Sequence, residues 1–308
     1  MSIGKVPQKW LCQSVESILG QTFKDFEFII ILDNPIDLKI KACIENYAEK
    51  DKRIILLHNE VNHGVSFSIN RGLMHAKGKY IARMDADDIA DNRRLEKQYA
   101  FMEANGDVVL LGTGIRFIGK NAWRHPTDNL RFDDKSIKAE MLLGNCIAQS
   151  SVMIRHSVLH EHGLKYDEGL KCCEDYRLWE QLMPTGKFAC LKEKLVNHRL
   201  SDLQFVKRNP NEMQELTDII RGRIQLAWLR SCGYNDFTDI DLLFHALDVV
   251  RKLRTDNKIN ISEEYKAFVQ YAYLRSKDKN KKYLMPFISG DIKHFTFHNL
   301  KRWILKRW

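Results

Sequence analysis

The chain of 308 residues is 44% hydrophobic and 29% charged, so it carries enough apolar surface for a sizeable core and lacks the bias of a disordered chain. Its longest clean apolar run, Phe28 to Leu32, is far short of the ~20 residues that cross a bilayer, and no apolar leader with a small-residue cleavage site is visible. The formal charge of +9 is concentrated: Arg251 to Trp308 holds 15 Lys or Arg against 5 Asp or Glu, a balance of +10, and the rest is close to neutral.

Leu11, Val15, Ile18 and Leu19 recur at helical spacing and Gly20 follows as a stop, which predicts a short amphipathic helix over 11–19. Phe26 to Leu32 is aromatic and β-branched and ends at Asp33-Asn34-Pro35, the pattern of a buried parallel strand with an aspartate at its carboxyl end. A helix over 38–50, a strand over 53–58 and a helix over 65–75, reached through Asn62-His63-Gly64, come next. Lys79 to Met84 then predicts a strand closing on Asp85-Ala86-Asp87-Asp88. This alternation points to a doubly wound sheet, in which ligands gather at the carboxyl ends of strands.

Further on, the spacing predicts a helix over 93–105, a bulged strand or strand pair over 108–118, a short helix over 137–143 and a strand over 150–155. A helical turn over 157–162 and a helix over 174–183 with an acidic first turn follow. Past Ser201 the pattern changes to long helices, over 212–231, 240–254 and 263–276. The expected organisation is therefore a catalytic unit of residues 1–200 and a basic helical region of 201–308. Seven cysteines without a CxxC pair imply reduced thiols and a cytoplasmic protein, with Cys172 and Cys173 structural.

Two acidic groups carry the chemistry. Asp85, Asp87 and Asp88 put three carboxylates within four residues at a strand end, where they repel one another unless a cation or ligand sits among them. A hard divalent ion, Mg²⁺ or Mn²⁺, takes carboxylate oxygens and bridges them to substrate phosphates. A solvated acidic turn capping the next helix is the competing reading. Glu174-Asp175 is the second group, and dipole-favoured acids at a helix start are its competing reading.

The segment Ser14 to Ile30, the stretch Asn59-Glu60-Val61-Asn62-His63-Gly64-Val65-Ser66, then Asn70-Arg71-Gly72-Leu73 and Ala76 to Ile81 leading into Asp85-Ala86-Asp87-Asp88 together resemble a family 2 glycosyltransferase over roughly residues 10–200. The resemblance implies the GT-A fold, a mixed α/β sheet with flanking helices, and inverting transfer of a sugar from a nucleotide-diphosphate donor, a UDP-sugar, to a saccharide or lipid-linked acceptor. By it, Asp33 contacts the donor base, Asp85 the ribose side and Asp87, with Asp85 beside it, the metal. Asn62, Gly64 and Asn70 shape the nucleotide pocket. Asp175 is the base that takes the acceptor proton and Glu174 its neighbour. Gln149 falls on the acceptor side, and Asn197-His198-Arg199 brings a basic residue toward the diphosphate. Independently of the resemblance, Trp179 lies four residues after Asp175 on the same helix face, a spacing that fits either the lining of the acceptor pocket or packing in the core.

The sequence departs from the family pattern in three places. Met1 to Pro7 lacks the apolar run of the usual first strand, so that strand is expected to be missing. Only Leu32-Asp33 stands where paired aspartates are common, and Gln149 stands where many relatives have histidine. The end of the chain, His294 to Trp308, interleaves aromatics with cations and suits peripheral docking on an anionic membrane surface, with no nucleic-acid module beside it. Two other readings stay open: an inactive nucleotide-sugar or membrane-binding remnant, which the short N-terminus favours, and a sugar nucleotidyltransferase, which should carry a glycine-rich basic loop that is not seen.

Overall fold

The computed structural model describes residues 1–33, 38–120, 122–124, 132–142, 144–201 and 209–231. Contacts divide the chain into Met1–Ile224 and Gln225–Trp308, and the site lies in the first unit. The helices expected over 240–254 and 263–276 and the aromatic, cationic end of the chain lie outside the described residues.

The N-terminal part is a three-stranded parallel sheet. Its strands are β1 (Ser2–Ile3), β2 (Phe28–Leu32) and β3 (Ile54–His58), in that spatial order. Helix α1 (Gln8–Leu19) buries Leu11, Val15 and Ile18, the stripe that the periodicity defines, against the Phe28, Ile30 and Leu32 face of β2. Helix α2 (Leu38–Lys50) adds Ile40 and Ile44 to the same cluster. The opposite face of β2 takes α3 (Val65–His75): a Cβ at Gly72 would stand 3.0 Å from the Ile31 side chain, so glycine lets the helix approach without moving that side chain.

A five-stranded mixed sheet forms the second part, in the order β4 (Tyr80–Ala82), β7 (Met153–Arg155), β6 (Val108–Gly119), β8 (Lys187–Leu200), β5 (Ile89–Ala90). Strands β6 and β8 run parallel and the other pairs antiparallel. The register between β6 and β8 slips at Thr113–Ile115, the irregularity that the sequence predicts there. Gly114 makes the slip sterically feasible, since a Cβ would lie 2.9 Å from the Glu193 carbonyl oxygen. Helices α4 (Arg94–Ala104), α5 (Asp134–Met141), α6 (His156–Glu161), α7 (Glu174–Leu182) and α8 (Pro210–Ser231) complete the elements.

The expected absence of a first strand is corrected. Ser2 and Ile3 pair with Ile31 and Leu32, and the Ile31 and Asp33 amides donate to the carbonyls of Met1 and Ile3. Two residues suffice because β2 supplies a ready ladder, and Ile3 alone is buried. Between β2 and β4 lies a cavity of about 710 Å³.

Candidate active site

The end of β4 leads straight into the acidic turn. Met84 and Ala86 are buried and anchor it, and β5 then pairs with Val196 and Asn197 of β8. Asp88 is fully buried; it accepts from the His198 Nδ1 at 2.8 Å and from the Arg199 amide at 2.7 Å. Burial alone would lower the His198 pKa, but the hydrogen bond and charge of Asp88, with Asp85 and Asp87 beyond, raise it to about 9. Arg199 also donates from Nε to the Asp87 carbonyl (2.8 Å) and from Nη2 to Gln13 (3.0 Å). The basic residues expected near the diphosphate thus bind the turn from behind, and Asp88 is the residue that locks it.

Asp87 differs from its neighbour. It is half-buried, and among the described residues no other residue's donor reaches its carboxylate. Its pKa is raised to about 7 by burial first and then by the charges of Asp88 and Asp85. A carboxylate short of donors and crowded by like charge has high affinity for a cation. Among the described residues no ready-made cluster of three or more His, Cys, Asp or Glu forms a metal cage. The fit is therefore to an ion held by one or two carboxylates and completed by phosphate and water oxygens, which is how Mg²⁺ is commonly bound.

Arg83 joins the two acidic groups. Its guanidinium is buried, with 4% exposure, and Nη2 donates to Asp85 Oδ1 at 2.9 Å and to Gln149 Oε1 at 3.3 Å. Gln149, in a 3-10 turn over Gln149–Ser151, donates from Nε2 to Glu174 Oε1 at 3.4 Å. Asp85, Arg83, Gln149 and Glu174 thus form one continuous polar chain. Behind it, fully buried Arg94 donates to the carbonyls of Arg83 (2.7 Å) and Val152 (3.2 Å). Burial lowers the Arg94 pKa to about 10, which leaves it charged.

Glu174 and Asp175 open α7, just after Cys173, whose φ of +59° is the only left-handed non-glycine backbone among the described residues. Such a conformation is uncommon for a residue with a Cβ and marks a turn held by its surroundings. Cys173 Sγ lies 3.4 Å from Thr217 Oγ1 of α8, one of the contacts that hold it. Asp175 accepts from the Tyr176 amide and from Asn145 Nδ2, each at 2.7 Å. Its pKa is nevertheless raised to about 7, by burial first and the Glu174 charge next. Burial likewise raises Glu174. Carboxylates poised near neutrality suit proton transfer at ordinary pH.

Other expected site residues take different places. Asp33 is buried at the end of β2, and both of its oxygens are occupied: Oδ1 by Asn59 Nδ2 (2.6 Å) and the His63 amide (3.0 Å), Oδ2 by the Gly64 amide (2.8 Å). It holds the Asn62-His63-Gly64 loop closed. Gly64 has φ +89°, which explains glycine there, and Asn62 is exposed. The buried Asn70 amide is taken up inside the fold: it pairs both ways with the Tyr166 backbone (2.8 and 2.9 Å) and with Glu168 (2.7 Å). Trp179 is fully buried and belongs to the core, so the expected acceptor contact is corrected. Of the participants the sequence reading did not assign, Arg83 carried a signal, a lone cation at the end of an apolar strand. Asn145, in a loop, and Arg94, on a helix, carried none.

Comparison with known proteins identifies the family. Residues 5–163 match the family described as Glycosyl transferase family 2. An uncharacterized glycosyltransferase of Methanocaldococcus jannaschii is 41% identical over 198 residues, covering 63% of this chain and 67% of the relative. The O-antigen biosynthesis glycosyltransferase WbnJ of Escherichia coli is 34% identical over 200 residues, 62% of this chain and 75% of the relative. Among solved structures, that of S. aureus TarS in complex with UDP-GlcNAc superposes with a TM-score of 0.59 at 16% identity, over 86% of this chain and 76% of that one. This last likeness bears on the fold alone and places the mixed sheet and its helices in the GT-A class. With the family matched over more than half of its length, the chain belongs to glycosyl transferase family 2 and is a glycosyltransferase.

Proposed function

We propose that this glycosyltransferase moves a sugar from a nucleoside-diphosphate donor of the UDP class to a hydroxyl of a saccharide or lipid-linked acceptor, with inversion, in the making of a surface polysaccharide. The observation that carries the reading is the polar chain from Asp85 through Arg83 and Gln149 to Glu174, which joins two acidic groups 89 residues apart in the sequence. Support for the donor comes from the S. aureus structure, which holds UDP-GlcNAc, and for the pathway from the relative named for O-antigen biosynthesis. The basic, aromatic end of the sequence suits a cytoplasmic enzyme that docks on an anionic membrane face.

In this reading Asp175 receives the proton of the acceptor hydroxyl as that oxygen attacks the anomeric carbon from the face opposite the diphosphate. Asn145 and the Tyr176 amide each fix one carboxylate oxygen and leave further lone pairs for the hydroxyl. Glu174 raises the basicity of Asp175 by repulsion, and Arg83 keeps the charges of Glu174 and Asp85 compatible at short range. Asp87, with Asp85 beside it, would hold a Mg²⁺ or Mn²⁺ ion that supplies positive charge to the departing diphosphate.

The test is hydrolysis of a panel of nucleotide sugars by wild type and Asp175→Asn. Loss of a positioned base should lower turnover by about 10²- to 10⁴-fold, with UDP affinity kept within about threefold of wild type. Unchanged turnover would reject Asp175 as the base.

A further inference from the structure

Helices α1 and α2 enter one apolar cluster on a face of β2, the first through Leu11, Val15 and Ile18 and the second through Ile40 and Ile44. Beside that cluster two polar rungs join the helices. Cys12 Sγ lies 3.5 Å from Cys43 Sγ, and one turn further on the Tyr47 hydroxyl donates to Glu16 Oε1 at 2.7 Å. Residues 12 and 16 share a face of α1, and residues 43 and 47 share a face of α2, because each pair is one turn apart. The helices therefore run in the same direction with the two sulfurs opposed. The second rung fixes their register and keeps the sulfurs so.

This pair differs from the other thiols of the described residues. Cys12 and Cys43 are half-buried and free, whereas Cys172, Cys173 and Cys190 are buried. Cys146, also half-buried, has its sulfur against the Ile137 carbonyl at 3.8 Å. The sulfurs of Cys172 and Cys173 lie 4.0 Å apart but belong to adjacent residues in the turn that α8 holds. From 3.5 Å, an approach of about 1.5 Å, within the reach of side-chain rotation, brings the Cys12 and Cys43 sulfurs to the ~2 Å of a disulfide. Burial first, then the hydrogen bond with Cys12, raise the Cys43 pKa. Cys43 thus keeps its proton until a target sulfur stands beside it.

We propose that Cys12 and Cys43 form a dithiol modification site whose substrate is a small disulfide, such as oxidised glutathione, and whose product is a reversible staple between α1 and α2. The Cys12 thiolate attacks one sulfur of the small disulfide. Its S–S bond breaks, the first small thiol leaves with the proton that Cys12 gave up, and a mixed disulfide remains on Cys12. Cys43 then attacks the Cys12 sulfur and its proton goes to the second small thiol as that departs. Two protein thiols are oxidised to one disulfide and one small disulfide is reduced to two thiols. Nearness favours this closure over attack by a third molecule. The staple bears on the site through α1, from which Ser14 Oγ donates to the Asp85 carbonyl (2.8 Å), Ser17 Oγ accepts from the Ala90 amide (3.0 Å) and Gln13 accepts from Arg199 (3.0 Å). Tying α1 to α2 stiffens the helix that backs the acidic turn.

The test exposes the native full chain, with all seven of its cysteines, to oxidised glutathione and reads peptide maps and thermal melts before and after. Wild type is expected to lose the mass of two hydrogens and to yield one linked peptide pair, carrying Cys12 and Cys43, about tenfold or more faster than any other cross-link. Its Tm should rise by about 5 °C or more, and dithiothreitol should reverse the gain. Cys43→Ser should stop at a glutathione adduct on Cys12, Cys12→Ser should form no cross-link at Cys43, and neither should gain Tm. Each variant is compared with itself before oxidation, so any packing lost to serine cancels. The proposal is overturned by a cross-link elsewhere that forms first, by glutathione adducts that persist on wild type without closing, or by an equal Tm gain in the single variants. A Cys12–Cys43 bond that forms only in denaturant, or that leaves Tm unchanged, would overturn it as well. None of these readouts depends on donor, acceptor or turnover.

Discussion

Strands β2 and β4 both end in aspartate, yet the two ends do opposite things. Asp33, after β2, accepts three donors that close the Asn62 to Gly64 loop over it. After β4, Asp88 accepts two donors from β8 and is fully buried, whereas Asp87, one residue before it, accepts none from any other described residue. Position at a strand's carboxyl end therefore does not decide a role. The count of donors does: a saturated carboxylate holds the fold, and one left short, with its proton affinity raised by neighbours, is available for chemistry.

The sharpest way to break this comparison is to remove each kind of acid in turn. Asp88→Ala takes a fully buried acceptor away from half-buried His198 and the Arg199 amide, a change that costs about 3–5 kcal/mol and, at roughly 2–4 °C per kcal/mol, lowers Tm by about 6–20 °C. Asp87→Ala removes no donor's partner and should leave Tm within about 2 °C of wild type. Thermal melts decide it, and equal losses in the two variants would erase the distinction.

Acid titration gives the next largest effect. With the Asp175 pKa at about 7, a base that must be ionised makes hydrolysis rise with pH by up to about tenfold per unit below 7 and level off above it. A profile flat from pH 5.5 to 8 would contradict the role of Asp175. On the structural side, the folded His198 pKa of about 9 lies above its ordinary 6.5. The stability it contributes is therefore full below about 6.5 and is lost as pH rises through 9. Melts of wild type should decline over that window, and Asp88→Asn should flatten the decline. The smallest effect is that of Asn145→Ala, which frees one oxygen of Asp175 and should cut turnover by about three- to tenfold while shifting the acidic limb of the pH profile upward.

Much of the fold was legible because its periodicity is local. The helices over 38–50 and 65–75 match the sequence expectation to the residue, the first through its Ile40 and Ile44 stripe and the second because Gly64 and Ala76 bound it. Strand β8 was not read: Lys192-Glu193-Lys194 interrupts the apolar pattern where the strand slips against Gly114, and only the partner strand reveals why polar residues sit there. The first strand was missed for the converse reason, as Ser2 and Ile3 have no pattern of their own and are ordered by β2.

The acidic groups of the site were visible as charge that a sequence leaves unexplained. Which acids are saturated was not visible, because the donors come from distant segments: Arg199 for Asp88, Gly64 for Asp33, Asn145 for Asp175. The same holds for Trp179 and Asn70. An aromatic four residues after Asp175 shares its helix face by spacing, but the core claims the ring. An amide in a nucleotide-binding pattern is in fact bonded to Tyr166, 96 residues on.

The most direct measurement of the central claim is calorimetric titration of UDP into wild type and Asp87→Ala, each with and without Mn²⁺. If the donor-poor acid of the β4 turn holds a cation against a diphosphate, Mn²⁺ should tighten UDP binding by about tenfold or more in wild type and by less than about twofold in Asp87→Ala. An equal gain in both proteins, or none in either, would contradict it.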